Sequence, residues 1–326
     1  MEEALGVVRG LVPPTPLLRA PALDALAGVG VHLKLESLQV TGSFKVRGAA
    51  AHVAALDPEV RARGVVTCSS GNHGRAVAWV ARRMGLAATV FVPSWVDPSK
   101  RAAIAALGAS VDDASPTYDE AEARAMAEAE SSGRAYVSPF DDPWVVAGQG
   151  TVALEILDQL PGVASVVVPL SGGGLAGGVA QALWERRSGA RVVAASARNA
   201  RVMWESVRAG RPVTLEEKET LASALAGGIG PDNRWTFPLV RGRVDRHVVV
   251  DEEAIARAMA FAALRLHLVV EGGGAVGLAS LLEGTLREHL DPTGPAVLVV
   301  SGGNVDGAVL AGVVERAGGA PDEAGG

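Results

Sequence analysis

The residues best suited to chemistry stand in four short blocks. The first is Thr41-Gly42-Ser43-Phe44-Lys45-Val46-Arg47-Gly48. It sets a lysine at a predicted loop-to-helix junction behind small residues. The positive end of a helix macrodipole disfavours a cation. The position therefore favours a neutral amine, the form a Schiff-base lysine needs. A solvated helix lysine is the plain alternative, and the octet alone leaves both open. The second block is Cys68-Ser69-Ser70-Gly71-Asn72-His73-Gly74. It follows a predicted strand and opens a predicted helix, so it offers backbone N–H groups and hydroxyls to an anion. Ser and Asn also suit a helix cap. A cap needs one such residue, whereas this block sets Ser69, Ser70, Asn72 and His73 around a glycine.

The third block, Pro169-Leu170-Ser171-Gly172-Gly173-Gly174-Leu175, is again strand, glycine turn and helix. Successive glycines allow a backbone nest around a phosphate, with the helix dipole behind it. Gly172, Gly174 and Gly177 fit G-x-G-x-x-G, but Ala195-Ser196 stands where the dinucleotide pattern needs an acid, and no Gly-Lys-Ser/Thr follows as in a P-loop. A tight packing turn is the alternative. The fourth block is Val300-Ser301-Gly302-Gly303-Asn304, at the end of the last predicted strand. Ser301 could bond a ring nitrogen; alone, the block reads as a turn. Together the blocks describe a small-molecule site with a phosphate nest and a reactive lysine but no metal cluster. Pyridoxal 5'-phosphate fits that set.

Short apolar runs and Ala-rich stretches position these blocks. The runs predict buried parallel strands at Val31–Leu35, Gly64–Thr67, Ala88–Val92, Ser165–Val168, Val192–Ala195, Val248–Val250 and Ala296–Val300. Helices are predicted at Phe44–Leu56, His73–Met84, Ser99–Leu107, Thr117–Ser131, Ala176–Arg187 and Glu252–His267. Such alternation gives α/β layers with ligands at the carboxyl ends of strands. Residues 49–145 are expected to form a small α/β domain, and residues 1–48 with 146–326 a large one. The polar stretch Gly210–Arg234 is long enough to suggest a functional loop, and the tail Gly318–Gly326 is expected to fray.

Composition excludes several classes. At 48% hydrophobic and 20% charged, the 326-residue chain can bury a full core. A net charge of -6 without a basic block argues against nucleic acid. One cysteine allows no internal disulfide. No apolar run is long enough for a membrane span, and the N-terminus lacks the pattern of a secretory signal. A cytoplasmic enzyme is expected.

The four blocks, in this order, resemble the fold-type II pyridoxal-phosphate enzymes (tryptophan synthase β-like), specifically the threonine/serine dehydratase and serine racemase group. The resemblance runs from about Pro13 to about Val314. It implies two parallel-sheet α/β domains with the cofactor in the cleft between them, and a homodimer acting on a small amino acid. By that resemblance Lys45 carries the cofactor and acts in catalysis, and Phe44 packs on the ring. Asn72 meets the 3'-oxygen; Ser171, Gly172, Gly173, Gly174 and Leu175 bind the phosphate; and Ser301 partners the ring nitrogen. Ser69, Ser70, Asn72 and His73 receive the substrate carboxylate.

The departures from the family pattern carry information as well. Many relatives have a cation-binding glutamate where this chain has Ser196, so no metal is expected. Ser70 stands where racemases place a second acid/base, which keeps racemisation open beside β-elimination. A β-replacement synthase shares the same fold. The stretches Pro169–Leu175, Gly227–Arg234 and Val270–Val276, with Ser196, look like hydroxyectoine-utilisation dehydratases, which implies a substrate bulkier than threonine. Glu271 opens a glycine-rich helix start; it could face the site or simply complement the helix dipole.

Overall fold

The computed structural model describes residues 1–318, so most of the Gly318–Gly326 tail lies outside the described residues. The strands are β1 (Leu17–Arg19), β2 (Val31–Leu35), β3 (Val65–Cys68), β4 (Ala88–Pro93), β5 (Ser110–Ser115), β6 (Ala135–Tyr136), β7 (Ser165–Pro169), β8 (Arg191–Ala197), β9 (Arg246–Val250) and β10 (Ala296–Val300). The helices are α1 (Glu2–Leu11), α2 (Asp24–Ala27), α3 (Lys45–Ala55), α4 (Pro58–Ala62), α5 (Asn72–Arg83), α6 (Pro98–Ala106), α7 (Tyr118–Ser132), α8 (Pro143–Gln159), α9 (Gly174–Glu185), α10 (Val202–Ala209), α11 (Thr236–Arg243), α12 (Glu252–Arg265), α13 (Gly272–Leu282) and α14 (Gly307–Gly318).

The strands form two sheets. One has six strands in the order β1-β2-β10-β7-β8-β9, and the other has four in the order β5-β4-β3-β6. All pairings are parallel except β1 with β2. The four-stranded sheet lies within residues 65–136 and the six-stranded sheet outside them. Side chains alternate across a strand. Val297 and Val299 of β10 thus join the core under α8 and α9, while Ala296, Leu298 and Val300 join the core under α12 and α13. In the smaller sheet, Val65 and Val90 pack with Val46, Ala49 and Val53 of α3, whereas Val66 and Phe91 pack with Ala121 and Ala125 of α7.

Helix α3 therefore sits at the seam. Its residues fill the core of the smaller sheet, and the turn before it is tied to the larger one. Ser43 bridges Gly302, and the Phe44 N–H donates to the Ser301 carbonyl at 3.1 Å. A buried ion cluster fixes the same helix to α8. Arg47 donates to Glu36 at 2.8 Å and to Glu155 at 2.6 Å, and Lys34 donates to Glu155 at 2.7 Å. Two cations and two carboxylates balance, so no lone charge is left out of water. The first turn of α3, which begins with Lys45, is held rigidly as a result.

Candidate active site

The loop ends of β3, β7 and β10 and the starts of α3, α5, α9 and α13 meet at one place. Lys45 is the first residue of α3, part-buried, and its Nζ donates to the Pro139 carbonyl at 2.6 Å. Nζ also lies 5.3 Å from the centre of the Phe44 ring. Burial lowers this amine to about 8, with the Glu271 carboxylate pulling the other way. A far larger fraction is therefore neutral near neutrality than for an exposed lysine.

The third block forms the start of α9. Gly173 has φ +89, a left-handed backbone that glycine adopts without strain. Among the described residues, none accepts from the backbone N–H groups of Gly172, Gly173, Gly174 or Leu175. Four adjacent open donors at a helix start suit an anion. Ser171 Oγ donates to the Leu225 carbonyl at 2.9 Å, tying the loop to the long stretch that follows α10.

The second block opens α5. The backbone N–H groups of Asn72, His73 and Gly74 likewise have no acceptor among the described residues. Ser69 and Ser70 are half-buried; Ser69 Oγ accepts from the Gly71 N–H at 3.3 Å. The His73 side chain is buried, with Nε2 3.0 Å from the Val137 carbonyl, and burial pushes its pKa to about 3. Its imidazole is thus a neutral brace under the loop. Asn72 reaches across: its Nδ2 donates to Glu271 Oε1 at 2.7 Å, and its Oδ1 accepts from Asn304 Nδ2 at 2.6 Å.

Glu271 faces the site. It occupies the cap position of α13 without capping it, and a Cβ on Gly302 would lie 2.2 Å from its Oε1. Burial raises its pKa to about 7, opposed by the Asn72 hydrogen bond and the charges of Arg75 and Lys45. Ser301 directly follows β10, buried, beside the Phe44 backbone.

Other site residues were not singled out from sequence. Pro139 and Phe140 lie on the segment between β6 and α8, and the Phe140 ring would be 2.4 Å from a Cβ on Gly172. The Asp142-Pro143 pair is a readable helix start, but nothing in it points to the lysine. Arg75 also belongs here, donating to Asn304 Oδ1 at 3.1 Å.

Ser196 is fully buried at the end of β8. Its Oγ is 3.1 Å from the Leu170 carbonyl and 3.0 Å from His247 Nε2. No cluster of three or more metal-ligating side chains occurs among the described residues. No described helix is long and apolar enough to cross a membrane.

An amine for a carbonyl, open amides for a phosphate and a neutral hydroxyl beside them match the groups of pyridoxal phosphate. Comparison with known proteins agrees. The chain is 40% identical to an L-threonine ammonia-lyase of Geobacter sulfurreducens over 316 residues, 97% of this chain and 77% of that one. Its structure matches maize serine racemase with a TM-score of 0.88 at 35% identity, covering 97% of each chain. It matches a threonine deaminase of Solanum lycopersicum with a TM-score of 0.90 at 31% identity, covering 97% of this chain and 87% of that one. These neighbours bear out the fold-type II resemblance. Residues 8–302 match the family described as pyridoxal-phosphate dependent enzymes, and the chain belongs to that family.

Proposed function

We propose that this enzyme eliminates water from a β-hydroxy amino acid of the threonine or serine kind, and that the released enamine takes up water again to give a 2-oxo acid and ammonia. The single observation that carries the reading is the enclosed Lys45 amine, its pKa lowered to about 8 by burial, set among the open amides of α5 and α9. The relatives named L-threonine ammonia-lyase support the same class.

Bound pyridoxal phosphate supplies the electron sink that lets a substrate lose its α-proton and then its β-hydroxyl. Each protein group has an assigned part in this scheme. Lys45 would hold the cofactor through its amine, and that amine, once free, would take the substrate's α-proton as general base. Phe44 would pack on the ring, Asn72 would meet its 3'-oxygen, and Ser301 would meet its nitrogen. A neutral hydroxyl there leaves the ring a weaker sink than an acid would, which favours prompt loss of a β-leaving group over transamination. Ser171, Gly172, Gly173, Gly174 and Leu175, whose backbone N–H groups from Gly172 on are open, would hold the phosphate. Ser69, Ser70 and Asn72 take the substrate carboxylate, and His73 adds its open backbone N–H.

A racemase reading rests on Ser70, whose half-buried hydroxyl has no partner among the described residues, and on the serine racemase relatives. We also propose, on the loop Gly227–Arg234 and Ser196, a substrate bulkier than threonine, of the hydroxyectoine-derived type. The test offers L-threonine, L-serine and such an amino acid in parallel to cofactor-loaded protein. Release of 2-oxo acid from any of them supports elimination, and release only from the third supports the bulky-substrate reading. Silence with all three, with D-serine formed from L-serine, moves the assignment to racemase. Ser70→Ala should remove racemisation and spare elimination.

A further inference from the structure

The mechanism leaves Asp141 without a part, although its carboxylate is among the most heavily used in the molecule. Oδ2 accepts from the Arg234 N–H at 2.7 Å, and Oδ1 accepts from the N–H groups of Trp235 and Thr236 at 2.8 and 2.9 Å. These are the donors that the start of α11 leaves open. Asp141 thus caps that helix from 93 to 95 residues away in sequence.

The capped segment lies against the third block. A Cβ on Gly173 would meet Thr236 Cβ at 3.0 Å, and Thr236 is fully buried. Phe140 covers the other two glycines of the loop. A Cβ would come within 2.4 Å of its ring at Gly172 and within 3.2 Å of its Cα at Gly174. Pro139, one residue earlier, holds Lys45 Nζ. The three successive residues 139–141 therefore touch the lysine, two glycines of the phosphate loop and, through Thr236, the third.

We infer that Asp141 is a positioning residue for the phosphate loop. Its carboxylate draws α11 onto Gly173 while Phe140 presses on Gly172 and Gly174. The loop's open amides are thereby fixed in direction before any phosphate arrives. Preorganised donors bind an anion more tightly than donors that must be ordered first. The inference rests on the proposed phosphate role of that loop.

The test compares two forms of the cofactor. Cofactor-free full-length chain is titrated by fluorescence with pyridoxal 5'-phosphate and with pyridoxal, which lacks the phosphate. Asp141→Asn keeps the shape but turns an amide donor toward donors, so at least one of the bonds must fail. The dissociation constant for pyridoxal phosphate should rise by about tenfold or more, while that for pyridoxal changes by less than about twofold. An equal rise for both compounds, or no rise for either, overturns the inference, because a general loosening of the fold would not single out the phosphate. Asp141→Ser, which keeps a hydroxyl acceptor, carries the same comparison if the first variant folds poorly. A wild-type chain that binds both compounds equally removes the phosphate role of the loop itself, and the inference falls with it.

Discussion

Among single residues, the choice of cofactor-bearing lysine narrows quickly. The chain has four lysines: Lys34, Lys45, Lys100 and Lys218. Lys34 is fully buried in the ion cluster, held by Glu155, Gln159 and the Thr15 carbonyl. Lys100 and Lys218 are exposed. Only Lys45 combines enclosure, a pKa lowered to about 8 and a place beside the open amides.

Glu271 is the second residue with a measurable signature. Its folded pKa, about 7, lies above the ordinary 4.5, so the folded chain keeps a proton that the unfolded chain releases. The resulting penalty is absent below 4.5, grows as pH rises and is complete above about 7. In the cofactor-free chain, Glu271→Gln should gain on wild type by roughly 3 kcal/mol across that window. Urea midpoints measured at both ends would show it; a constant difference between the two proteins would contradict it. Sequence reasoning left Glu271 open between site and helix start because both uses put an acid before a run of glycines. Only the Asn72 contact, across 199 residues, separates them.

Among the elements, legibility followed burial. The predicted strands and helices recur within about two residues of their expected ends, including β2 and β10 with unchanged bounds. Helix α8 was not read from sequence, although it has 17 residues. Eleven of them are buried, spread over most of its circumference, so no polar stripe marks a helical period. The same holds for α13, where ten of eleven residues are buried. The edge strand β5 (SVDDAS) was missed for a different reason, since its two aspartates and small residues, only one of them buried, form no apolar run.

Helices α8 and α9 cross at Gly150 and Gly178. A Cβ on Gly178 would sit 2.5 Å from the Val146 carbonyl oxygen and 2.8 Å from the Gly150 nitrogen, both backbone atoms that cannot step aside. Alanine is the better helix former by about 1 kcal/mol, so propensity predicts that Gly178→Ala stabilises. Overpacking predicts a loss of about 1–3 kcal/mol, and we expect that to win. A thermal melt decides by sign: a raised midpoint would mean that the crossing is looser than described.

At the scale of the whole molecule, the site exists because two sheets present their carboxyl ends and helix starts to one another. The N-termini of α3, α5, α9 and α13 surround it, and each brings partial positive charge. A chain of net charge -6 thereby gains a place where open backbone N–H groups favour an anion. The sequence marks the strand ends that meet at this place, since each motif is local. It could not show that residues 139–141 join those ends, because that contact depends on how the segment leaving one sheet is laid over the loop of the other.

The most direct test of the account is to trap the cofactor on the protein. The chain is loaded with pyridoxal phosphate, reduced with borohydride, digested and mapped by mass spectrometry. A single modified residue, Lys45, is expected. Label on Lys34, Lys100 or Lys218, or no label on a chain that turns over substrate, would contradict it.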